Sequence, residues 1–429
     1  MRPRLFALPA LSALLSFVAL PAAGADPLDA LGFGPRAAAM GTAGLAEGEA
    51  LEAAHGNPAA AGVGSGLRVA LGWLFAVPVA TLNGRDAGLD AAHGVLFGAA
   101  VPFDVFGLRL GAGLALHVPD RFFARAALPG GTEPRLLRWS DWIHRTSASA
   151  VLSADVGGGF SLGAGVVVLA DATARGTIEI GAADGVTWGT ADVELAMPLR
   201  AAPVAGLLFR PAPWLSLGLT YRGELSMDVE LDVRAHADFA DESLAGTART
   251  RVHGTASYTP RTLAFGLTGR WAGFTVDIDV AWNGWSGFDQ PFAQTDTAVA
   301  LGAPAPIVHL LFPHPSWEDT LVPSAGLEYE LVVAEGQAVA VRAGYSYESS
   351  PVPPQTGLGN VADPDRHLVS LGAGWRMELE DAAIFADFAL QAHVLVPLRA
   401  EKDVPEFAGE DLRAGGQVWA GQLWAGVEL

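Results

Sequence analysis

Between Pro119 and Arg145 the side chains Phe122, Phe123, Leu136, Leu137, Trp139 and Trp142 are set among Arg121, Arg125, Arg135, Arg138 and Arg145. Rings beside guanidinium groups can take both ends of an amphipathic carboxylate, with the tail on apolar faces and the head in charge-assisted hydrogen bonds. Phe122, Phe123, Arg125, Trp139 and Trp142 are therefore predicted to form an entrance groove for ligand. The same composition also suits a loop that folds on itself and turns its arginines to lipopolysaccharide phosphates. A second apolar stretch, Val299 to Pro315 with Ile307, Val308, Leu310, Leu311 and Phe312, either shares that groove or packs on itself as a lid. Arg200, Arg222 and Arg342 are the candidates for meeting a carboxylate deeper in the molecule. Against that stands the supply of acids, Asp192, Glu194, Glu224, Asp277, Asp279 and Glu348, that would hold them in ion-pair networks instead.

Covalent chemistry has little support. There is no H-E-x-x-H, P-loop or dinucleotide-binding glycine pattern. The chain has no Cys, which excludes a thiol nucleophile, thiolate-bound zinc and lipoprotein acylation. The 10 His are scattered, and His309 and His314 share a stretch without completing a ligand set, so no metal and no cofactor are predicted. A Ser/His/Asn site assembled from separate strands, as in a barrel lipase, would leave no linear signature.

The elements that must position the candidate residues are strands. From Leu215 to Val233 every odd position is apolar except Gly223, while the even positions run Ser216, Gly218, Thr220, Arg222, Glu224, Ser226, Asp228, Glu230 and Asp232. Strands of soluble sheets are usually ~5–6 residues long. So long a period-2 run, with hydrocarbon on one face and charge on the other, suits a membrane β-barrel. The same facing recurs at Phe274–Trp282, Val193–Leu199, Val339–Tyr347 and His367–Met377. An Arg on the lipid face costs roughly 2–4 kcal/mol near the midplane, so the polar set is assigned inward. Tryptophans 73, 214, 271, 282, 285, 375 and 419 fall near strand ends, as interfacial girdles require.

Fourteen strands are predicted, over 67–80, 93–102, 107–118, 143–155, 159–181, 187–210, 213–234, 248–270, 273–285, 317–333, 337–348, 365–378, 381–397 and 415–429. Their connections alternate short and long, as in an outer-membrane barrel. Gly157–Gly159, Pro198 and Pro203 are places where strand pairing could break.

Composition agrees. The 429 residues are 51% hydrophobic but only 9% aromatic, with 52 Gly, and the one long apolar run is N-terminal. Arg2 and Arg4, the apolar stretch Leu5–Leu20 and Ala23-Gly24-Ala25 read as a secretory signal over residues 1–25. A net charge of −20 with no basic patch argues against nucleic-acid binding. Residues 26–66 are crowded with Ala and Gly and do not alternate, which suits a plug in a lumen or an unstructured leader. Residues 67–429 would form the barrel.

Two regions resemble the FadL/TodX-type outer-membrane transport proteins. Gly34-Pro35-Arg36-Ala37-Ala38-Ala39-Met40-Gly41 and Asn57-Pro58-Ala59 are similar to the family's hatch motifs. Tyr258–Leu263, Ala281–Ser286, Arg342–Tyr345, Ser350–Pro353 and Asp365–His367 are similar to its later strands and the loop between them. The resemblance implies a transmembrane antiparallel β-barrel of about 14 strands, all-β, with an N-terminal hatch in the lumen. Gly34, Arg36, Gly41, Asn57 and Pro58 would be its hatch residues, Asn57-Pro58 fixing a turn by side-chain bonding and a fixed φ. It further implies that hydrophobic molecules, long-chain fatty acids or aromatic hydrocarbons, diffuse through a monomer in the outer membrane, with no enzymatic step. The chain departs from many such barrels in ending on Leu429 and not on an aromatic residue. A water-filled porin for polar solutes and a structural or adhesive surface barrel are the competing readings.

Overall fold

The computed structural model describes residues 27–121, 134–140, 144–170, 173–183, 186–196, 199–238, 246–289, 294–301, 303–304, 308–310, 313–404 and 409–429. The predicted signal, Phe122, Phe123, Arg125, Trp142 and Pro198 lie outside the described residues.

Fourteen strands form one closed antiparallel ring. In chain order they are β1 Arg68–Leu82, β2 Ala92–Val105, β3 Leu108–Pro119, β4 Ser147–Gly157, β5 Phe160–Ala170, β6 Leu199–Ala212 and β7 Leu215–Arg222. There follow β8 Thr262–Trp271, β9 Phe274–Asn283, β10 Thr320–Ala334, β11 Gln337–Glu348, β12 Arg366–Glu378, β13 Ala383–Ala400 and β14 Leu412–Glu428. Each strand pairs with its sequence neighbours, and β1 closes the ring on β14 from Arg68↔Glu428 to Leu82↔Ala414. Closure is the physical requirement, because an unpaired strand edge in hydrocarbon leaves several kcal/mol of unsatisfied backbone per group.

Facing follows the predicted alternation. On β7 Leu219 and Tyr221 are exposed on the outside while Ser216, Thr220 and Arg222 are buried inside. On β9 Ile278 and Val280 face out and Asp277 and Asp279 face in. Trp214, Trp271, Trp375 and Trp419 are exposed, as girdle residues should be, but Trp285 is not. It is buried with Tyr258, Phe288 and Trp317 in an aromatic cluster beyond the end of β9, because Gly284 bends the chain into a short 3-10 turn there. Two of the tight turns, Phe106-Gly107 and Ala272-Gly273, have positive φ at both positions, the geometry that matches strand twist in a hairpin.

Four predicted strands were too long. Those over 159–181, 187–210, 213–234 and 248–270 each divide, and only one half stays in the ring. The other halves, Thr173–Ala183, Val186–Ala196, Leu225–Asp238 and Gly246–Thr259, build a second sheet with Gln294–Leu301, Ala303–Pro304 and Val308–Leu310. In it Leu225–Asp238 runs parallel to Thr173–Ala183, a pairing that plain extension of the ring would not produce. The break is chemical. The last ring rung between β7 and β8 is Arg222↔Thr262, and Pro260 on the facing chain has no N–H to carry the ladder further. Gly223 instead donates to the Pro203 carbonyl at 2.8 Å, where β6 ends its pairing with β7. Alternation continues through the break because both sheets have a period of two. Of the other predicted breakpoints, Gly157–Gly159 form the turn into β5, and Pro203 keeps its pairing with Val166.

Residues 27–66 lie inside the ring. They include two single-turn helices, α1 Pro27–Leu31 and α2 Pro35–Ala39, and a 3-10 turn at Pro58–Ala60. Inward side chains from distant strands hold them: Ser370 of β12 accepts from Gly41 N at 2.9 Å, Gln391 of β13 donates to Ala38 O at 3.0 Å and Gln422 of β14 donates to Leu31 O at 2.8 Å. Leu28, Leu31, Phe33 and Leu51 join Leu74, Leu96, Leu208 and Trp424 of the wall in one apolar cluster. Glycine makes room for this contact. A Cβ at Gly344 would stand 2.0 Å from Gly41 N, and one at Gly163 would stand 2.3 Å from Ala59 N. Gly344→Ala should push residues 38–43 off the wall at an overpacking cost of about 1–3 kcal/mol. Hydrogen exchange should then show those amides losing protection, whereas Gly357→Ala, with nothing near its added methyl, should leave them unchanged.

Candidate functional site

Two cavities flank the N-terminal segment. The outer one, about 220 Å³, faces the end of the barrel with the long connections, and the inner one, about 320 Å³, faces the end with the short turns. Glu49 lines both, so the segment is what separates them.

The inner cavity is charged. Arg36 of α2 donates to both oxygens of Glu328 on β10, at 3.0 and 2.9 Å, and to Glu47 at 2.7 Å. Glu328 also accepts from Arg342 of β11 at 2.6 Å, Arg342 reaches Asp387 of β13 at 2.5 Å, and Asp387 accepts from Trp424 Nε1 at 3.0 Å. Alternating charges thus run from the segment through β10, β11 and β13 and end on the Trp424 N–H of β14. Such a buried chain holds geometry more than it adds stability, because desolvation offsets most of the attraction.

The outer cavity is mixed. Leu28, Phe33, Leu45 and Trp285 give it apolar surface, and Arg222 enters its wall bound to Asp29 and to the His55 carbonyl. Its ceiling comes from the long connection between β3 and β4, where α3, Leu137–Ser140, places Arg138 over the Trp285 ring, 5.1 Å from its centroid. Arg135–Leu136 just before α3 pairs in parallel with Val361–Ala362 of the connection between β11 and β12. Arg138 bonds Glu348 at 2.6 Å and Asp363 at 2.9 Å, and Arg366 bonds the same Glu348 oxygen at 2.6 Å. Burial pushes the Asp363 carboxyl up to about 6, against the opposing pull of Arg138. A third tie closes the same end: Lys402, the only lysine, donates to the carbonyls of Gln355, Gly357 and Gly359 at 2.7, 3.0 and 2.7 Å.

The residues singled out in the sequence are distributed as follows. Asn57 accepts from Ala59 N at 3.1 Å and donates to Leu45 O and Leu207 O, so it ties the Pro58 turn to β6. Gly34, at φ 90°, precedes α2, and a Cβ there would meet Glu52 and Trp424. Trp139, expected in an exposed groove, is buried instead, stacked edge-on to His393 and under the Arg366 guanidinium, because α3 turns it into the barrel mouth. Arg200 is exposed at the outer start of β6, away from the cavity, since the strand begins there and β7 does not reach it. Arg222 and Arg342 are inward as predicted, each already engaged by acids. Of their predicted acidic neighbours, Asp192 and Glu194 belong to the second sheet. Arg138, Glu348, Asp363 and Arg366 meet as a group that their spacing in the sequence does not announce. Strand parity marked Glu348 and Arg366 as inward, but nothing in the spacing brings Arg138 to them.

An apolar-faced closed ring of antiparallel strands with a polar, occupied lumen defines an outer-membrane β-barrel. The model of the family described as outer membrane protein transport protein (OMPP1/FadL/TodX) matches residues 200–420, and the chain belongs to that family. A search of curated proteins finds no match. Among solved structures, a Pseudomonas aeruginosa FadL homologue is 16% identical with a TM-score of 0.55, covering 91% of this chain and 97% of its own. The P. putida toluene transporter TodX is 14% identical with a TM-score of 0.53, covering 93% and 99%. The CymD monoaromatic hydrocarbon channel is 17% identical with a TM-score of 0.50, covering 91% and 97%. At these identities the likeness is one of fold.

Arg36→Ala should leave Glu47 and Glu328 buried without their shared cation, a loss on the order of 3–5 kcal/mol. The expected outcome is early proteolytic cleavage within residues 27–66 while the ring keeps its heat-modifiable mobility in a detergent gel.

Proposed function

We propose that this barrel carries small hydrophobic compounds across the outer membrane by passive diffusion, from the outer cavity to the inner one, when the N-terminal segment shifts. The observation that carries this is the pair of cavities separated by residues 27–66, inside a ring whose fourteen described strands each pair with their neighbours. The segment then acts as the hatch, with Arg36 and Asn57-Pro58 anchoring it and Gly34 and Gly41 letting it lie against the wall. Family membership supports transport, and aromatic hydrocarbons or long-chain fatty acids are the cargo classes considered. An apolar-lined route has a clear purpose where lipopolysaccharide excludes greasy molecules. No covalent step is needed. A segment bonded to so many strands also speaks against a permanently water-filled porin.

The chain has no cysteine, so a disulfide can be introduced cleanly. A Cβ at Gly113 of β3 lies 3.5 Å from the Ala54 Cβ, within the range a disulfide spans. Ala54→Cys with Gly113→Cys should lock the segment to the wall. Uptake of a labelled hydrophobic compound by cells producing this variant should fall at least about tenfold under oxidising conditions and recover with reductant. Equal uptake in both states would show that the segment need not move.

A further inference from the structure

The ceiling of the outer cavity contains two arginines in the arrangement that would seat a ligand carboxylate, and the seat is taken. Glu348 closes β11 and Arg366 opens β12, directly opposite it in the ladder. One oxygen of Glu348 receives Arg138 at 2.6 Å and Arg366 at 2.6 Å. The second carboxylate, Asp363, meets Arg138 at 2.9 Å. The side chains of all four are no more than 10% exposed, so water contributes little to screening. Each guanidinium is backed by a ring, Trp285 behind Arg138 and Trp139 behind Arg366, which fixes its place. Arg366 also points to His393 Nδ1, at 3.3 Å, and to the Ala30 carbonyl, at 3.5 Å. Arg138, Glu348, Arg366 and Trp285 all line the cavity.

Two guanidinium groups face two carboxylates, and the four are balanced. A ligand carboxylate arriving here would be a third anion among two cations, and could bind only by displacing an internal partner into a place with little water. A neutral ligand meets no such cost and gains the apolar surface of Trp285, Phe33 and Leu45. We propose that Glu348 sets the charge specificity of the outer cavity: it occupies from within the chain the two-arginine seat of a ligand carboxylate, so the cavity admits uncharged hydrophobic compounds and turns away carboxylates. This rests on the transport reading above and decides between its two cargo classes in favour of uncharged compounds.

The test uses two probes with the same twelve-carbon tail, 1-dodecanol and laurate, and equilibrium binding to the purified full-length protein in detergent at pH 8, where laurate is ionised. The parent protein should bind dodecanol saturably and laurate at least about tenfold more weakly. Glu348→Gln keeps the shape of the group and removes one negative charge. A charge-assisted hydrogen bond to the vacated arginines should raise the affinity for laurate relative to dodecanol by about tenfold to a hundredfold. Asp363→Asn opens the same charge vacancy from the other side of Arg138 and serves if Glu348→Gln fails to fold. A raised ratio in either folded variant supports the proposal. Laurate binding by the parent as tight as dodecanol binding, or an unchanged ratio in both folded variants, overturns it while leaving the transport reading intact. Absence of saturable dodecanol binding in parent and variants alike overturns the transport reading, and this inference with it.

Discussion

The contact between the inner wall and residues 27–66 is the constraint on which the rest of the structure depends. A ring of fourteen strands has a lumen too wide for its own side chains to fill. Here it is filled by backbone from elsewhere in the chain, and the approach is close enough that inward strand positions at Gly163, Gly206 and Gly344 have no room for a methyl group. Where the wall carries side chains, some are apolar and join the segment's cluster, as Leu74, Leu96 and Leu208 do, and others are polar and bind its amides and carbonyls: Ser370, Gln391, Gln422 and Asp279 each do so. A buried segment with so little regular structure must find partners for its backbone groups, and the wall supplies them.

The charges of the lumen serve the same contact. Arg36, Arg222, Arg342 and Arg366 are each met by an acid of the chain, and the acids come from different strands or from the segment itself. Every such pair ties one element to another. At the outer end Arg138 pairs with acids of β11 and of the connection that follows it, and Lys402 fastens two long connections through backbone carbonyls. Among the described residues, a cavity opens on either side of the segment.

Much of the architecture was legible in the sequence because the membrane imposes it. A period of two with an apolar outer face identified the strands, and alternating short and long connections gave their direction. All fourteen ring strands fall within the predicted segments to within a few residues at their edges. The division of four long strands was not legible, since Leu225–Asp238 alternates as regularly as Leu215–Arg222 and only Gly223 and Pro260 mark the change. The candidate site was legible in part. Parity correctly turned Arg222, Arg342 and Glu348 inward, because facing is a local property. It could not show that Trp139 is buried or that Arg138 meets Glu348 across 210 positions of sequence, because those depend on how a long connection folds back over the barrel mouth. Arg200 failed for a related reason: its parity is right, but the strand starts at that point and leaves it at the rim.

If residues 27–66 close the lumen, the molecule is not a standing water-filled pore. Ion conductance across a planar bilayer tests it most directly, comparing the intact protein with one lacking those residues. The intact protein should be electrically silent at low voltage, and the deletion variant, once inserted, should give steady open-channel steps. Steady conductance of the same size in both proteins would contradict it and would make the molecule a porin.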